Sequence, residues 1–419
     1  MERRKRSAPA GLPYDALLEI LARLPARSVY RSKCVAKGWR DLVDDPLNRK
    51  KLPQTLEGFF VMKPGTARGR GVGVEHFGFI NLLPRPVPLD IDPCFSFLKK
   101  LPETEYLSFL DYCNGLLLFV HARKSGPFDQ SDVLTYVVCN PATKQWEAVP
   151  ACDCGCWDCL EWYTFLVFHP AVSSHFHLIN FWREWREGSD KEGEELEEWP
   201  LLVCVYSSGT RTWSRRSQTD WNNEQGRLEG WRHQGELCYL GGDPQRAFVN
   251  GILHLMVWEL DDSPIVAAVD IQGKTQRIIK MPAAAEGMRW AHTHIGHISQ
   301  SQGRLHYINF QVGGDDDDDT KKCDELFTWV LKDYDTQEWV LKDTVSFLKL
   351  FGENICTVVA IHQDCNVVFF LQSKNQLIAY DMDRKEVSVV ATLENKIWRN
   401  GIVPYVPNFA DSLVLTNKH

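Results

Sequence analysis

The chain has 419 residues, of which 44% are hydrophobic, 24% charged and 11% aromatic, which supports a large core and excludes a disordered protein. At roughly 150 residues per domain this length suggests two or three folded units, and no window approaches the roughly 18 consecutive apolar residues of a membrane span. The net charge of -8 is divided unevenly: residues 1–51 hold 13 Lys/Arg and 6 Asp/Glu, while the remainder holds 34 and 49. The large acidic remainder argues against nucleic acid as the main ligand, because phosphate repels it.

Residues 1–10 read as a basic flexible tail. Arg3-Arg4-Lys5-Arg6 is followed by no apolar stretch, so a secretory signal is not expected. The 13 cysteines are then expected as reduced thiols in the cytoplasm or nucleus, and an odd count fits poorly with a closed disulfide framework. The same four basic residues form a weak nuclear-localisation signal.

Residues 11–51 carry a helical period. Leu17, Ile20, Leu21 and Leu24 fall on one stripe, bracketed by Pro13, which suits a first turn, and Pro25, which forbids continuation. A second helix is expected from about Ser28 to Val35 with Ser28 as N-cap, and a third from Lys37 to about Asp44. Three helices this short are hard to stabilise alone, so some of their apolar surface should meet a partner or the rest of the chain.

The pattern Leu12-Pro13, Leu17-Leu18-x-Ile20-Leu21-x-x-Leu24-Pro25, then Lys33-Cys34-Val35-x-Lys37-x-Trp39-Arg40-x-Leu42 resembles the F-box. Ala36 and Gly38 depart from the family's usual residues without touching its apolar positions. The resemblance implies binding to a Skp-type adaptor and, through it, to a cullin and a RING protein. By similarity the adaptor-facing set is Leu12, Pro13, Leu17, Ile20, Leu21, Leu24, Pro25, Val29, Cys34, Val35 and Trp39, with Trp39 as an anchor.

From residue 57 to 415 the helical period gives way to short apolar or alternating runs separated by Gly, Asn, Asp and Pro, an all-β pattern. One opening recurs: Asn114-Gly115-Leu116-Leu117, Asn250-Gly251-Ile252-Leu253-His254 and Gly303-Arg304-Leu305-His306, with Asn366-Val367-Val368 as a looser copy. A second unit, strand, polar turn and strand, recurs around Asn140, Ser207, Asp270, Asp335 and Asp381, at spacings of 67, 63, 65 and 46. Those spacings lie near the roughly 50 residues of a kelch-like blade. The strand-like segments 57–90 and 403–415 would complete a sixth blade from both ends of the region, giving a β-propeller of about six blades. A β-sandwich of the same strands is the alternative, and long-period repetition weighs against it. Trp146, Trp213 and Trp339 are expected to pack between blades. This region also resembles the F-box-associated, propeller-like domain of the large plant F-box group, through Asn114-Gly115-Leu116-Leu117, Cys139-Asn140-Pro141-Ala142-Thr143-Lys144-Gln145-Trp146 with Val149-Pro150, and Tyr405-x-Pro407.

Cys152, Cys154, Cys156 and Cys159 are weak zinc candidates, cramped within eight residues and interleaved with turn formers. His292 and His294 could place two imidazoles on one strand face with His297 beyond it, more often a packed or hydrogen-bonded arrangement than a metal site. Arg68-Gly69-Arg70-Gly71-Val72-Gly73 lacks the helix and the Lys-Ser/Thr of a phosphate loop. The Asp315–Asp319 run and the Glu-rich stretch 184–198 read as solvated loops.

No cofactor, metal or catalytic residue is assigned. Taken with the resemblance, the sequence implies a non-catalytic substrate receptor of an SCF-type ubiquitin ligase, the β domain holding an unidentified target. Two alternatives stay open: a propeller enzyme or carbohydrate-binding domain with convergent channel residues, and an F-box scaffold acting outside degradation.

Overall fold

The computed structural model describes residues 13–24, 26–45, 56–64, 74–82, 91–100, 106–123, 133–150, 161–183, 202–216, 231–234, 236–237, 239–240, 243–258, 264–282, 296–313, 322–352, 356–373, 375–393, 401–410 and 414–418, with 48, 52, 152 and 228 singly.

The described residues of the N-terminal module form α1 (Tyr14–Ala22), α2 (Ala26–Ser32) and α3 (Lys37–Asp44). Pro13 stands at the N-cap of α1, where its missing N–H costs nothing, and its carbonyl accepts from the Leu17 amide at 3.0 Å. Leu17, Leu18, Leu21, Val29, Leu42 and Val43 form one small core, with Leu24 and Trp39 packed against it. Two expectations are corrected here. Ser28 lies inside α2 rather than capping it, because the helix starts at Ala26, directly after Pro25 in sequence. The buried stripe of α1 uses Leu18 and turns Ile20 outward, 48% exposed.

Between Gly58 and Lys418 the described residues build six antiparallel blade sheets around a ring, with a further two-stranded pair of Tyr239–Leu240 and Asp243–Pro244. The first blade comprises Tyr106–Cys113, Leu116–Arg123, Val133–Asn140 and Gln145–Val149; the second, Glu161–Phe168, Phe176–Arg183, Leu202–Ser207 and Thr212–Arg216. The third comprises Arg246–Val249, Ile252–Trp258, Pro264–Val269 and Thr275–Lys280, with Glu236–Leu237 paired beside its second strand. The fourth runs through His297–Ser301, Arg304–Gly313, Lys322–Asp333 and Glu338–Ser346; the fifth through Cys356–Ile361, Val367–Gln372, Gln376–Asp381 and Glu386–Thr392.

The sixth blade draws on both ends of the region. Gly58–Pro64 pairs with Val74–Asn81 on one side and with Ile402–Tyr405 on the other. The C-terminal strand is innermost there, beside Cys356–Ile361, the first strand of the fifth blade. A last pair, Asn417–Lys418, adds to the outer edge of the first blade opposite Trp146 and Gln145. Closure removes the exposed inner edges that an open array would leave. Six apolar clusters, one at each junction between neighbouring blades, form the core of the ring. At the closing junction Phe60 packs edge-on to Tyr405 at 4.9 Å and lies 5.2 Å from Phe95, contacts that complement simple burial.

Both sequence repeats have a backbone cause. The openings are two-residue hairpin turns between the first and second strands of a blade: Cys113 pairs with Leu116, Val249 with Ile252 and Ser301 with Arg304. Both central residues have positive φ, at Asn114 (45°) and Gly115 (88°), Asn250 (51°) and Gly251 (87°), Gln302 (50°) and Gly303 (70°), the geometry that favours Asn-Gly.

The second repeat is the turn into each outer strand. Its first polar side chain accepts amides two to four residues on: Asn140 from Ala142, Ser207 from Gly209, Asp270 from Gln272 and Lys274, Asp381 from Asp383 and Arg384. In the fourth blade that residue is Asp333, accepting from Asp335 and Thr336 at 2.8 Å, so Asp333 replaces Asp335 as the repeat position. The tryptophans of these outer strands reach back to the preceding blade: Trp213 Nε1 donates to the Pro150 carbonyl at 2.9 Å, and Trp339 Nε1 to that of Lys280 at 2.8 Å. Trp146 packs in the cluster joining the sixth and first blades.

Candidate functional site

The helical module presents two classes of apolar residue. Leu17, Leu21 and Val29 are consumed by its own core. Ile20 and Val35 remain 48% and 65% exposed, and Cys34 is exposed beside them in sequence, together with Pro13. Leu24 and Trp39 are half-buried against the core. Leu12 and Pro25 lie outside the described residues.

In the ring, the inner strands enclose a cavity of about 90 Å³ lined by Tyr112, Leu166, Arg246, Ser299, Gln300 and Gln363 among others. A buried ion pair beside it was missed by sequence reasoning. Asp111 stands at a bulge in the innermost strand of the first blade, its side chain 2% exposed, and pairs with Arg246 of the third. The same carboxylate accepts from the Leu166 amide of the second blade at 2.6 Å and from Tyr112 N at 2.7 Å. The Arg246 guanidinium lies 5.0 Å from the Tyr112 ring centroid. One buried ion pair therefore ties three blades together at the channel.

Two histidines occupy equivalent positions in the hairpin repeat. Burial pulls His254 down to about 4, so the ring is neutral at pH 7. Its Nδ1 lies 3.1 Å from the Ile252 carbonyl and its Nε2 3.0 Å from the Tyr334 hydroxyl. Burial holds that tyrosine's pKa up at about 12, so its hydroxyl donates to Nε2 while Nδ1–H donates to the carbonyl. His306 is also pulled to about 4, first by burial and then by Lys342, whose ammonium sits 3.4 Å from Nε2. Both imidazoles are packed and hydrogen-bonded within the ring.

The remaining sequence candidates fall as follows. Cys152 is buried with Trp182 and Cys204; Cys154, Cys156 and Cys159 lie outside the described residues. His297 Nδ1 meets Gln245 Oε1 at 2.8 Å, while His292, His294, the glycine-rich segment 68–73, the aspartate run and residues 184–198 lie outside as well. Among the described residues no three His, Cys, Asp or Glu side chains are arranged to hold a metal, and no helix is long and apolar enough to cross a membrane.

A small helical module ahead of a six-bladed ring defines the class, a helical N-terminal unit joined to a β-propeller. Residues 10–51 match the F-box domain, and residues 87–406 match the family described as F-box protein At3g26010-like, beta-propeller. The chain belongs to that family. Its relatives include Arabidopsis thaliana proteins named as F-box proteins. At2g16220 is 21% identical over 78% of this chain and 70% of its own length, and At1g30920 is 22% identical over 78% and 72%. A third, At1g31090, is 26% identical over 33% of this chain, a match spanning 43% of that protein. Among solved structures, a Penicillium chrysogenum alpha-L-arabinanase complexed with arabinobiose aligns over 80% of this chain and 85% of its own, at 11% identity and a TM-score of 0.37, too loose to bear on function.

Proposed function

We propose that this protein is the non-catalytic substrate receptor of an SCF-type ubiquitin ligase. The F-box docks a Skp-type adaptor, which brings a cullin and a RING protein. The propeller holds a target protein so that its lysines are concentrated near the charged E2, a proximity effect that asks no catalysis of the receptor. The observation that carries the reading is the F-box match over residues 10–51, joined to a helical module that leaves Ile20, Cys34 and Val35 uncovered. Those residues, with Pro13 and the edge of Trp39, form the adaptor-facing surface. Leu17, Leu21 and Val29 support it from beneath by fixing the helices. The protein works in the cytoplasm, the nucleus or both, where adaptor and cullin are available.

Affinity purification under proteasome inhibition tests this. Wild type should bring down the adaptor and the cullin together. A variant with Ile20→Asp and Val35→Asp should lose both, while a common set of other proteins is retained and accumulates. Adaptor recovery without any cullin would instead support an F-box scaffold acting outside degradation.

A further inference from the structure

On the face of the fourth blade that is turned toward the fifth lies an open groove, and its chemistry differs from the rest of the acidic body. On the fourth blade, His306 pairs with Val330, which pairs with Val340, so these side chains share one sheet face. That face also carries Ile308, two residues from His306, which is buried in the cluster joining this blade to the fifth. Arg304 and Lys332 continue the face outward, and with Lys342 these residues line a cavity of about 470 Å³. On the fifth blade, Val387 pairs with Tyr380 and Val389 with Ile378, whose side chains belong to the same joining cluster. The two valines are therefore turned toward the fourth blade, yet they remain 38% and 59% exposed.

The groove holds more positive charge than its own carboxylates neutralise. Asp343 is occupied by Lys385 and by the Tyr380 hydroxyl at 3.0 Å, and Lys332 is paired with Glu338 at 3.1 Å. Asp383 accepts from Asn366 Nδ2 at 2.8 Å and attracts Lys342 only from beyond ion-pair distance. Among the described residues no carboxylate lies within 4 Å of Arg304 or Lys342. His306 beneath them is neutral. Two unpaired cations beside exposed valines, in a body whose residues beyond 51 carry 49 acidic against 34 basic side chains, complement an acidic partner.

We propose that the groove between the fourth and fifth blades binds a short segment of the target protein that presents a carboxylate next to an aliphatic side chain. The carboxylate bridges Arg304 and Lys342, and the aliphatic group covers Val330, Val340 and Val387. The proposal rests on the receptor reading above, and the test separates the two.

A random heptapeptide phage library is panned on the full chain. Peptides that emerge are measured by fluorescence anisotropy against wild type, Arg304→Glu with Lys342→Glu, and Arg304→Gln with Lys342→Gln. The selected peptides should combine Asp or Glu with Val, Ile or Leu. Their Kd should weaken about tenfold or more on the charge-reversed protein, less on the neutral one, and weaken with added salt. Thermal melting confirms that each variant is folded, and should reversal disturb it, the neutral variant supplies the comparison. Absence of binders, selection of non-acidic peptides, or an unchanged Kd on folded variants overturns the proposal. Adaptor binding measured on the same preparations should not change. If it persists while peptide binding fails to respond, the groove is refuted and the receptor reading stands.

Discussion

Asp111 accepts two backbone amides and faces one guanidinium, all within the channel wall. Removing it leaves Arg246 buried without its counterion, and breaking one side of such a pair costs about 3–5 kcal/mol. Asp111→Ala should therefore lower the unfolding free energy in urea by that order, and Asp111→Leu combined with Arg246→Met should recover a substantial part. Equal losses in both variants would show that the pair is not what ties these blades. A second residue-scale effect depends on pH. Burial depresses His254 to about 4 from its ordinary 6.5, so between these values the unfolded chain holds a proton that the folded chain does not. Stability is complete above about pH 6.5 and is lost as pH falls toward 4, a contribution on the order of 3 kcal/mol. His306 acts in the same direction, and Asp364, raised to about 6 by desolvation, acts oppositely as it charges. The thermal midpoint should fall over that range in wild type and fall less in His254→Gln; identical slopes would contradict the assignment.

Among elements, the hairpin turns separate backbone strain from contact. Gly115 and Gly251 have nearly the same φ, 88° and 87°. A Cβ at Gly115 would come within 2.6 Å of the Asn408 amide nitrogen and 2.7 Å of the Val406 carbonyl, whereas at Gly251 the nearest atom is 3.7 Å away. Gly251→Ala should cost about 1–2 kcal/mol of strain alone. Gly115→Ala should cost clearly more, because it also pushes away the C-terminal segment that completes the ring; urea unfolding of the pair measures the difference. These turns were legible in the sequence because Asn-Gly is dictated locally. The outer turn of the fourth blade was less so: Asp333-Tyr334-Asp335 offers two acids, and only the pairing of Asp333 with Glu338 decides between them. In α1, the 3.6-residue period admits either Leu18 or Ile20 to the stripe, and packing against Leu42 and Val43 selects Leu18. The Asp111–Arg246 pair and the Arg304–Lys342 groove could not be read at all, since each joins residues that only ring closure and strand register bring together.

For the whole molecule, one closed ring implies one cooperative unit whose two ends are interdependent. Deleting residues 402–418 removes the innermost strand of the sixth blade and the pair added to the first, exposing strand edges. The truncated protein should lose its cooperative melting transition and aggregate, and a sharp transition at the wild-type temperature would contradict closure by that strand. The charge division follows the same boundary, a basic helical segment and an acidic propeller, which the proposed function assigns to assembly and recognition. The central claim joins them, that the exposed apolar surface of the helices docks a Skp-type adaptor independently of the propeller. Calorimetric titration of purified adaptor into the full chain tests it most directly. Wild type should bind, and Ile20→Asp with Val35→Asp should weaken binding about a hundredfold or more while the melting transition stays in place. Undiminished binding by that folded variant would contradict the account.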